Sequence, residues 1–158
     1  SFYSNGLSLL LALQRHLKEK YPRIRHIQFH DDTMLLDNPR MIDFCKKIVD
    51  LNLGLTFECS TRVKPVSEEL FMWMERAGFT KIMFGLESGS ETILKSIKKK
   101  IKRQDVINLF QILKKFNFDV TTFLIVGFPG ETEETVDETI SLVNETQKLK
   151  YNLISDFD

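Results

Sequence analysis

Cysteine is scarce in this chain: Cys45 and Cys59 are the only two among 158 residues. Two thiols cannot build a disulfide framework, and the composition fits a reducing compartment, so a cytoplasmic location is expected. Net charge is missing as well, since 22 lysines and arginines meet 22 aspartates and glutamates. No overall field therefore draws the chain to nucleic acid or to a membrane surface. No uninterrupted apolar run is long enough to cross a bilayer. Low-complexity tracts, linkers and a signal peptide are not visible either, which argues one domain over residues 1–158. The first residue is Ser1 rather than Met, so the chain reads as a piece of something longer.

What is present is a repeated unit of strand, loop and helix. Leu9, Leu10, Leu13 and Leu17 fall at helical spacing and predict a helix over about 5–20, which Tyr21-Pro22 ends. Ile24 to His30 reads as a strand running into the acidic loop Asp31-Asp32-Thr33. Asn38-Pro39 is a helix start, with Met41, Phe44, Ile48 and Leu51 as the buried stripe and Asn52-Leu53-Gly54 as the stop. Leu55 to Phe57 is a second strand that empties into Glu58-Cys59-Ser60-Thr61-Arg62. Pro65 and Ser67 precede a helix that Gly78 ends. Lys81 to Leu86 is a third strand, breaking into Glu87-Ser88-Gly89-Ser90, where Ser90 is expected to cap a helix to Ile97. A lysine run leads to a helix from Arg103 to Phe116. Phe118 to Val126 is a strand ending in Gly127-Phe128-Pro129-Gly130-Glu131. A last helix is expected over about 132–147, then a final strand from Tyr151 to Phe157.

This alternation argues an α/β fold with a parallel sheet and right-handed crossovers. The C-terminal strand ends then share one rim, where such proteins place ligands. Each rim feature has two readings. Asp31-Asp32 either holds a metal or an ammonium group or is a solvated turn. Glu87 either accepts both hydroxyls of a ribose diol or serves the turn and a helix dipole. Gly127 to Glu131 either lets backbone approach a flat or anionic ligand or is a plain strand-to-helix connection. Lys95, Lys98, Lys99, Lys100, Lys102 and Arg103 either contact phosphates or form a solvated face. Cys45 reads as a small buried hydrophobe and Cys59 as a rim thiol, and their spacing makes no metal site. A parallel α/β module holding a nucleotide-like ligand without redox chemistry fits all of this.

Three motifs narrow the choice. Phe29-His30-Asp31-Asp32, Phe84-Gly85-Leu86-Glu87-Ser88-Gly89-Ser90 and the stretch from Phe123 through Gly127-Phe128-Pro129-Gly130 to Thr132 occur in that order on consecutive strand ends. Together they resemble the radical S-adenosylmethionine (radical SAM) superfamily, and look closest to its cobalamin-binding branch, which includes the anaerobic magnesium-protoporphyrin ester cyclases. The resemblance implies parallel βα repeats forming part of an open (β/α)6 barrel, like an incomplete TIM barrel. It implies SAM and a [4Fe-4S] cluster as cofactors and cobalamin in a parent protein. It further implies a separate electron donor and a small-molecule substrate; no membrane partner is expected, and the neutral charge argues against nucleic acid. The family's C-x3-C-x2-C cluster motif is absent, and neither Cys45 nor Cys59 can belong to it. The strand at Ile24 matches the family's second strand. The first strand and cluster loop are therefore expected to be missing and the last strand cut short, leaving this piece inactive alone.

The resemblance also assigns positions. Asp31-Asp32-Thr33 matches the place of the family's Gly-Gly-Glu stretch, which holds the SAM amino group, although the letters differ. Glu58 is similar to a rim carboxylate used on the same amino group, and Arg62 lies on the same rim. Glu87, with Ser88 beside it, matches the ribose-binding position. Lys99 falls where a basic residue meets the SAM carboxylate. Gly127, Phe128 and Pro129 resemble the loop flanking the adenine, and Phe123 stands where some relatives carry a polar ribose contact. No residue of this chain is expected to act as a catalytic group or a metal ligand. The chemistry implied is one-electron cleavage of SAM to methionine and a 5′-deoxyadenosyl radical that takes hydrogen from a substrate, or methyl transfer through cobalamin.

Overall fold

The computed structural model describes residues 12, 16, 18–30, 34–64 and 66–151. Within them β1 (His26–Phe29), β2 (Thr56–Thr61), β3 (Phe79–Glu87) and β4 (Asp119–Leu124) form one four-stranded parallel sheet in the order β1-β2-β3-β4. Helices α1 (Asn38–Leu51) and α2 (Glu68–Ala77) fill the first two connections. A pair, α3 (Glu91–Ser96) and α4 (Arg103–Leu113), fills the third, and α5 (Glu133–Tyr151) follows β4. Sheet order equals chain order, as successive βα units produce.

The boundaries follow local chemistry. Asp37, not Asn38, caps α1: its carboxylate accepts the Arg40 amide at 3.0 Å, while Asn38 lies one residue inside and leaves its Oδ1 buried without a partner. Ser67 caps α2 by accepting the Leu70 amide at 3.1 Å. Gly78 ends α2 at φ 94°, and a Cβ there would lie 2.8 Å from the Leu55 carbonyl oxygen, so only glycine fits.

Phe57, Cys59, Ile82, Phe84 and Leu86 turn toward the helices and join Phe44, Phe71, Leu109 and Leu113 in one core. Burying each of the large side chains contributes about 1.5–3 kcal/mol. β2 is longer than the expected Leu55–Phe57, because Thr56, Glu58 and Ser60 alternate with buried residues and face the other side of the sheet. That alternation overturns the rim placement of Cys59, which is fully buried. It also makes Glu58 a mid-strand residue.

Helix α5 runs through Tyr151, where a strand was expected to begin. Lys148 and Lys150 in its last turn favour the helix dipole, and Lys150 Nζ donates to the Leu113 and Phe116 carbonyls at 3.0 and 2.7 Å. The rest of that expected strand, most of the helix expected over about 5–20, and Pro65 lie outside the described residues. No helix among the described residues is long and apolar enough to cross a membrane.

Candidate ligand-binding rim

The face of the sheet turned away from the core is polar. His26 Nε2 lies 3.4 Å from Glu58 Oε2 on the neighbouring strand, and His26 Nδ1 is 2.9 Å from Thr56 Oγ1. Lys81 Nζ pairs with Asp119 Oδ2 at 3.7 Å across β3 and β4. A parallel sheet ordinarily buries both faces under apolar side chains, so a charged face signals an interior kept for polar contents.

At the C-terminal ends of β2, β3 and β4 this face opens into a cleft of about 760 Å³ lined by Ser60, Arg62, Gly85, Glu87, Lys99 and Phe123, among others. Its centre is an ion pair. Lys99 Nζ is 2.6 Å from Glu87 Oε1 and donates to the Gly85 carbonyl at 2.5 Å. The two side chains are only 22% and 24% exposed, so solvent screens them less than a surface pair. Gly85 makes the room: a Cβ there would stand 2.8 Å from Glu87 Oε1 and 3.4 Å from Lys99 Nζ.

Glu87 ends β3 with a left-handed backbone, φ 69°, which a non-glycine residue adopts at a cost of about 1–3 kcal/mol. Its own carbonyl accepts the Ile125 amide at 2.9 Å, tying it to the end of β4. The next residues are fastened to α5. Thr139 Oγ1 accepts the Gly89 amide at 2.9 Å and lies 3.2 Å from Ser88 Oγ, and Ser88 Oγ accepts the Ser90 amide at 3.1 Å. At Gly89 a Cβ would approach Thr139 Cα to 2.5 Å, so helix and turn touch backbone to backbone. Ser90 occupies the cap position of α3 but makes no capping bond, and its Oγ is buried without a partner.

The residues singled out from sequence fall into three groups. Arg62, Glu87 and Lys99 line the cleft together. Glu58 is engaged with His26 on the same face and does not line it, while Ser88 is fully buried against α5. Gly127 and Phe128 line a separate cavity of about 500 Å³ with Val126, Glu131 and Val136, and the Gly127 amide is bonded to the Glu131 carboxylate. Pro129 is an exposed turn residue, and Asp31, Asp32 and Thr33 lie outside the described residues. Sequence reasoning missed Thr139. It sits 50 residues from Gly89, and no local signal marks it.

Both thiols are buried under the helices, and burial, the largest cause, pushes each up to about 12. They are inert packing groups, not ligands. Among the described residues no cluster of three or more histidines, cysteines or carboxylates is arranged to hold a metal ion.

Fold and rim define a parallel α/β protein whose strand ends carry a polar cleft of ligand size. The radical SAM superfamily profile matches residues 3–143, and the chain belongs to that superfamily. Over 117 residues it is 37% identical to an uncharacterized methyltransferase of Pyrococcus horikoshii, covering 74% of this chain and 26% of the relative. It is 25% identical to the anaerobic magnesium-protoporphyrin IX monomethyl ester cyclase of Rubrivivax gelatinosus, over 73% of this chain and 21% of the relative. Among solved structures, the radical SAM methyltransferase TsrM from Kitasatospora setae, with cobalamin and a [4Fe-4S] cluster bound, superposes with a TM-score of 0.78. Identity there is 17%, and the match covers 89% of this chain and 29% of that one. The βα repeats are thus those of the superfamily's partial, TIM-like barrel. The chain spans about a quarter or less of the length of the two curated relatives and 29% of the solved methyltransferase.

Proposed function

We propose that the cleft binds S-adenosylmethionine and that residues 1–158 are the SAM-binding core of a radical SAM enzyme of the oxidoreductase or methyltransferase type. The observation that carries this reading is the Glu87–Lys99 pair beside Gly85. Glu87 keeps Oε2 for ribose hydroxyls while Lys99 holds Oε1, and Lys99 supplies the positive charge that a carboxylate group seeks. The missing Cβ at Gly85 lets this pair lie close against β3. Arg62 lines the same cleft and offers a second cation to that carboxylate. Asp31, Asp32 and Thr33, with Glu58, are proposed for the SAM amino group, Ser88 for setting the Glu87 turn, and Gly127, Phe128 and Pro129 for the adenine edge. When bound and reduced by one electron, SAM supplies a carbon-centred radical. The protein's part is to orient the sulfonium and keep water away.

The residues present do not fit an iron–sulfur cluster. Cluster ligands are thiolates, and both thiols here are buried on the helix side with their ionisation suppressed. We propose that the cluster cysteines belong to a part of the protein outside residues 1–158, and that this piece alone does not cleave SAM. Cobalamin, the small-molecule substrate, the electron donor and a cytoplasmic location are proposed for the whole protein on its likeness to the superfamily. The polar cleft by itself also fits one other reading, a module that holds a nucleotide-like ligand without redox chemistry.

Titration calorimetry of SAM into the full chain tests the binding reading. Glu87→Ala is expected to weaken binding by about 1–3 kcal/mol, the range for removing a charged hydrogen-bond partner. An unchanged dissociation constant removes Glu87 from the site. Release of 5′-deoxyadenosine by the reduced, cluster-reconstituted longer protein separates the enzyme from the non-redox module.

A further inference from the structure

We propose that the lysine link between α3 and α4 is a binding site for a phosphate-class anion, adjoining the Glu87–Lys99 pair. Two cavities meet at this link. The cleft of about 760 Å³ faces Glu87, and a second of about 540 Å³ lies over the link between Glu91, Thr92, Lys95 and Lys102. Lys64, Lys98, Lys99 and Lys100 line both. The whole chain is neutral, so this concentration of cations is local.

The nearby carboxylates neutralise two of these lysines, Lys64 and Lys99, and leave the others unpaired. Glu87 is held by Lys99 at 2.6 Å. Asp105 is held by Lys64 at 2.8 Å and by the Lys102 amide at 2.8 Å, and the Lys64 hydrogen bond keeps its carboxyl below the usual range. Glu91 accepts the Arg103 amide at 3.2 Å. Lys95, Lys98 and Lys100 make no ion pair with another described residue. The ammonium groups of Lys95, Lys98 and Lys100, gathered on one link without ion-pair partners, repel one another, and a multiply charged anion relieves that repulsion. Lysine meets such an anion as a point charge with three donors, which suits the several oxygens of phosphate.

The backbone gives a second, independent indication. Helix α3 closes with the Lys98 amide on the Lys95 carbonyl at 3.1 Å and the Lys99 amide on the Leu94 carbonyl at 2.8 Å. The residue that makes this turn, Lys98, has φ 58°. Helices usually give that position to glycine, because any side chain is strained there. Here it carries an exposed lysine facing both cavities, while the turn delivers half-buried Lys99 to Glu87. The shared chemistry of the ligand is the phosphate group, free or within an RNA backbone. Only the assignment of that phosphate to the enzyme's substrate rests on the SAM reading.

Calorimetry of tripolyphosphate into the full chain at low ionic strength tests the site. The wild type is expected to bind, and Lys98→Gly with Lys100→Gln to bind at least about tenfold more weakly, as loss of two phosphate contacts requires. Glycine fits the left-handed backbone, so Tm is expected to hold or rise, which separates lost charge from lost folding. Lys114→Gln with Lys148→Gln removes the same charge elsewhere and leaves the affinity unchanged. An oligouridylate titrated in parallel identifies the source: binding that the same variant abolishes marks an RNA backbone, and binding of tripolyphosphate alone marks a small phosphorylated ligand. Failure of tripolyphosphate to bind, or equal weakening by the control variant, overturns the proposal. SAM titrated into wild type and Glu87→Ala reads the Glu87 end of the shared cleft, and tripolyphosphate titrated into the lysine variant reads the link, so each reading fails by itself.

Discussion

Thr139 Oγ1 accepts the Gly89 amide at 2.9 Å and so joins the middle of α5 to the turn that carries Glu87. The same hydroxyl donates to the Thr135 carbonyl at 3.1 Å, which leaves its lone pairs directed at the turn. The bond is part-buried, and Gly89 itself is buried, so water cannot readily replace it. Thr139→Val keeps the shape but strands the Gly89 amide, and is expected to lower stability by about 1–3 kcal/mol. Thermal unfolding reads this as a fall of about 2–4 °C for each kcal/mol. Thr139→Ser should restore most of it.

Gly85→Ala should separate stability from binding. The added Cβ meets the far ends of two flexible side chains, Glu87 and Lys99, rather than backbone. Both can swing aside, so the expected loss of stability is below about 1 kcal/mol. Their pairing, and with it SAM affinity, should be lost by tenfold or more, about 1.4 kcal/mol. A large drop in Tm with unchanged SAM affinity would reverse the assignment.

Ser90→Ala is expected to stabilise. The hydroxyl is fully buried and has no partner, so its removal relieves a desolvation cost of about 1 kcal/mol. A higher Tm checks this. A lower one would place a hydrogen-bonding partner at Ser90 Oγ.

Cys45 and Cys59 should resist iodoacetamide in the folded protein at pH 8 and react fully in denaturant. Their thiols are raised from 9.0 to about 12 in the fold. A raised value means that the neutral form is favoured in the native state. Below pH 9 both states keep the thiols protonated and the stability is fully present. Between about 9 and 12 the unfolded chain ionises first, so stability falls as pH rises through that window. Urea midpoints measured across it, with Cys45→Ala and Cys59→Ala as controls, read the effect.

Strand and helix types were legible wherever one face repeats. Met41, Phe44 and Ile48 mark α1, and Leu70, Phe71 and Met74 mark α2. Boundaries were less so. The inner face of the sheet is polar, so Glu58 and Ser60 read as loop when they are strand. That one misreading also sent Cys59 to the rim, although period-two alternation buries it. Within the site, Glu87 and Lys99 were legible as charges beside glycine and lysine punctuation, and the structure brings them to 2.6 Å. Thr139 and the reach of Lys98 into both cavities were not legible, because one depends on a contact across 50 residues and the other on a single backbone angle.

The closing turn of α3 has a consequence for how this protein can vary. Which lysine of three meets Glu87 is decided by counting from Leu94, through the bond that ends at the Lys99 amide. An uncharged residue inserted between Ser96 and Lys99, or deletion of Ile97, would rotate the wrong ammonium inward with every lysine kept. The length of this link, more than the identity of its flanking lysines, is therefore what divergence has to conserve, and a spliced or engineered variant that alters it would lose Glu87's partner without losing a single charge.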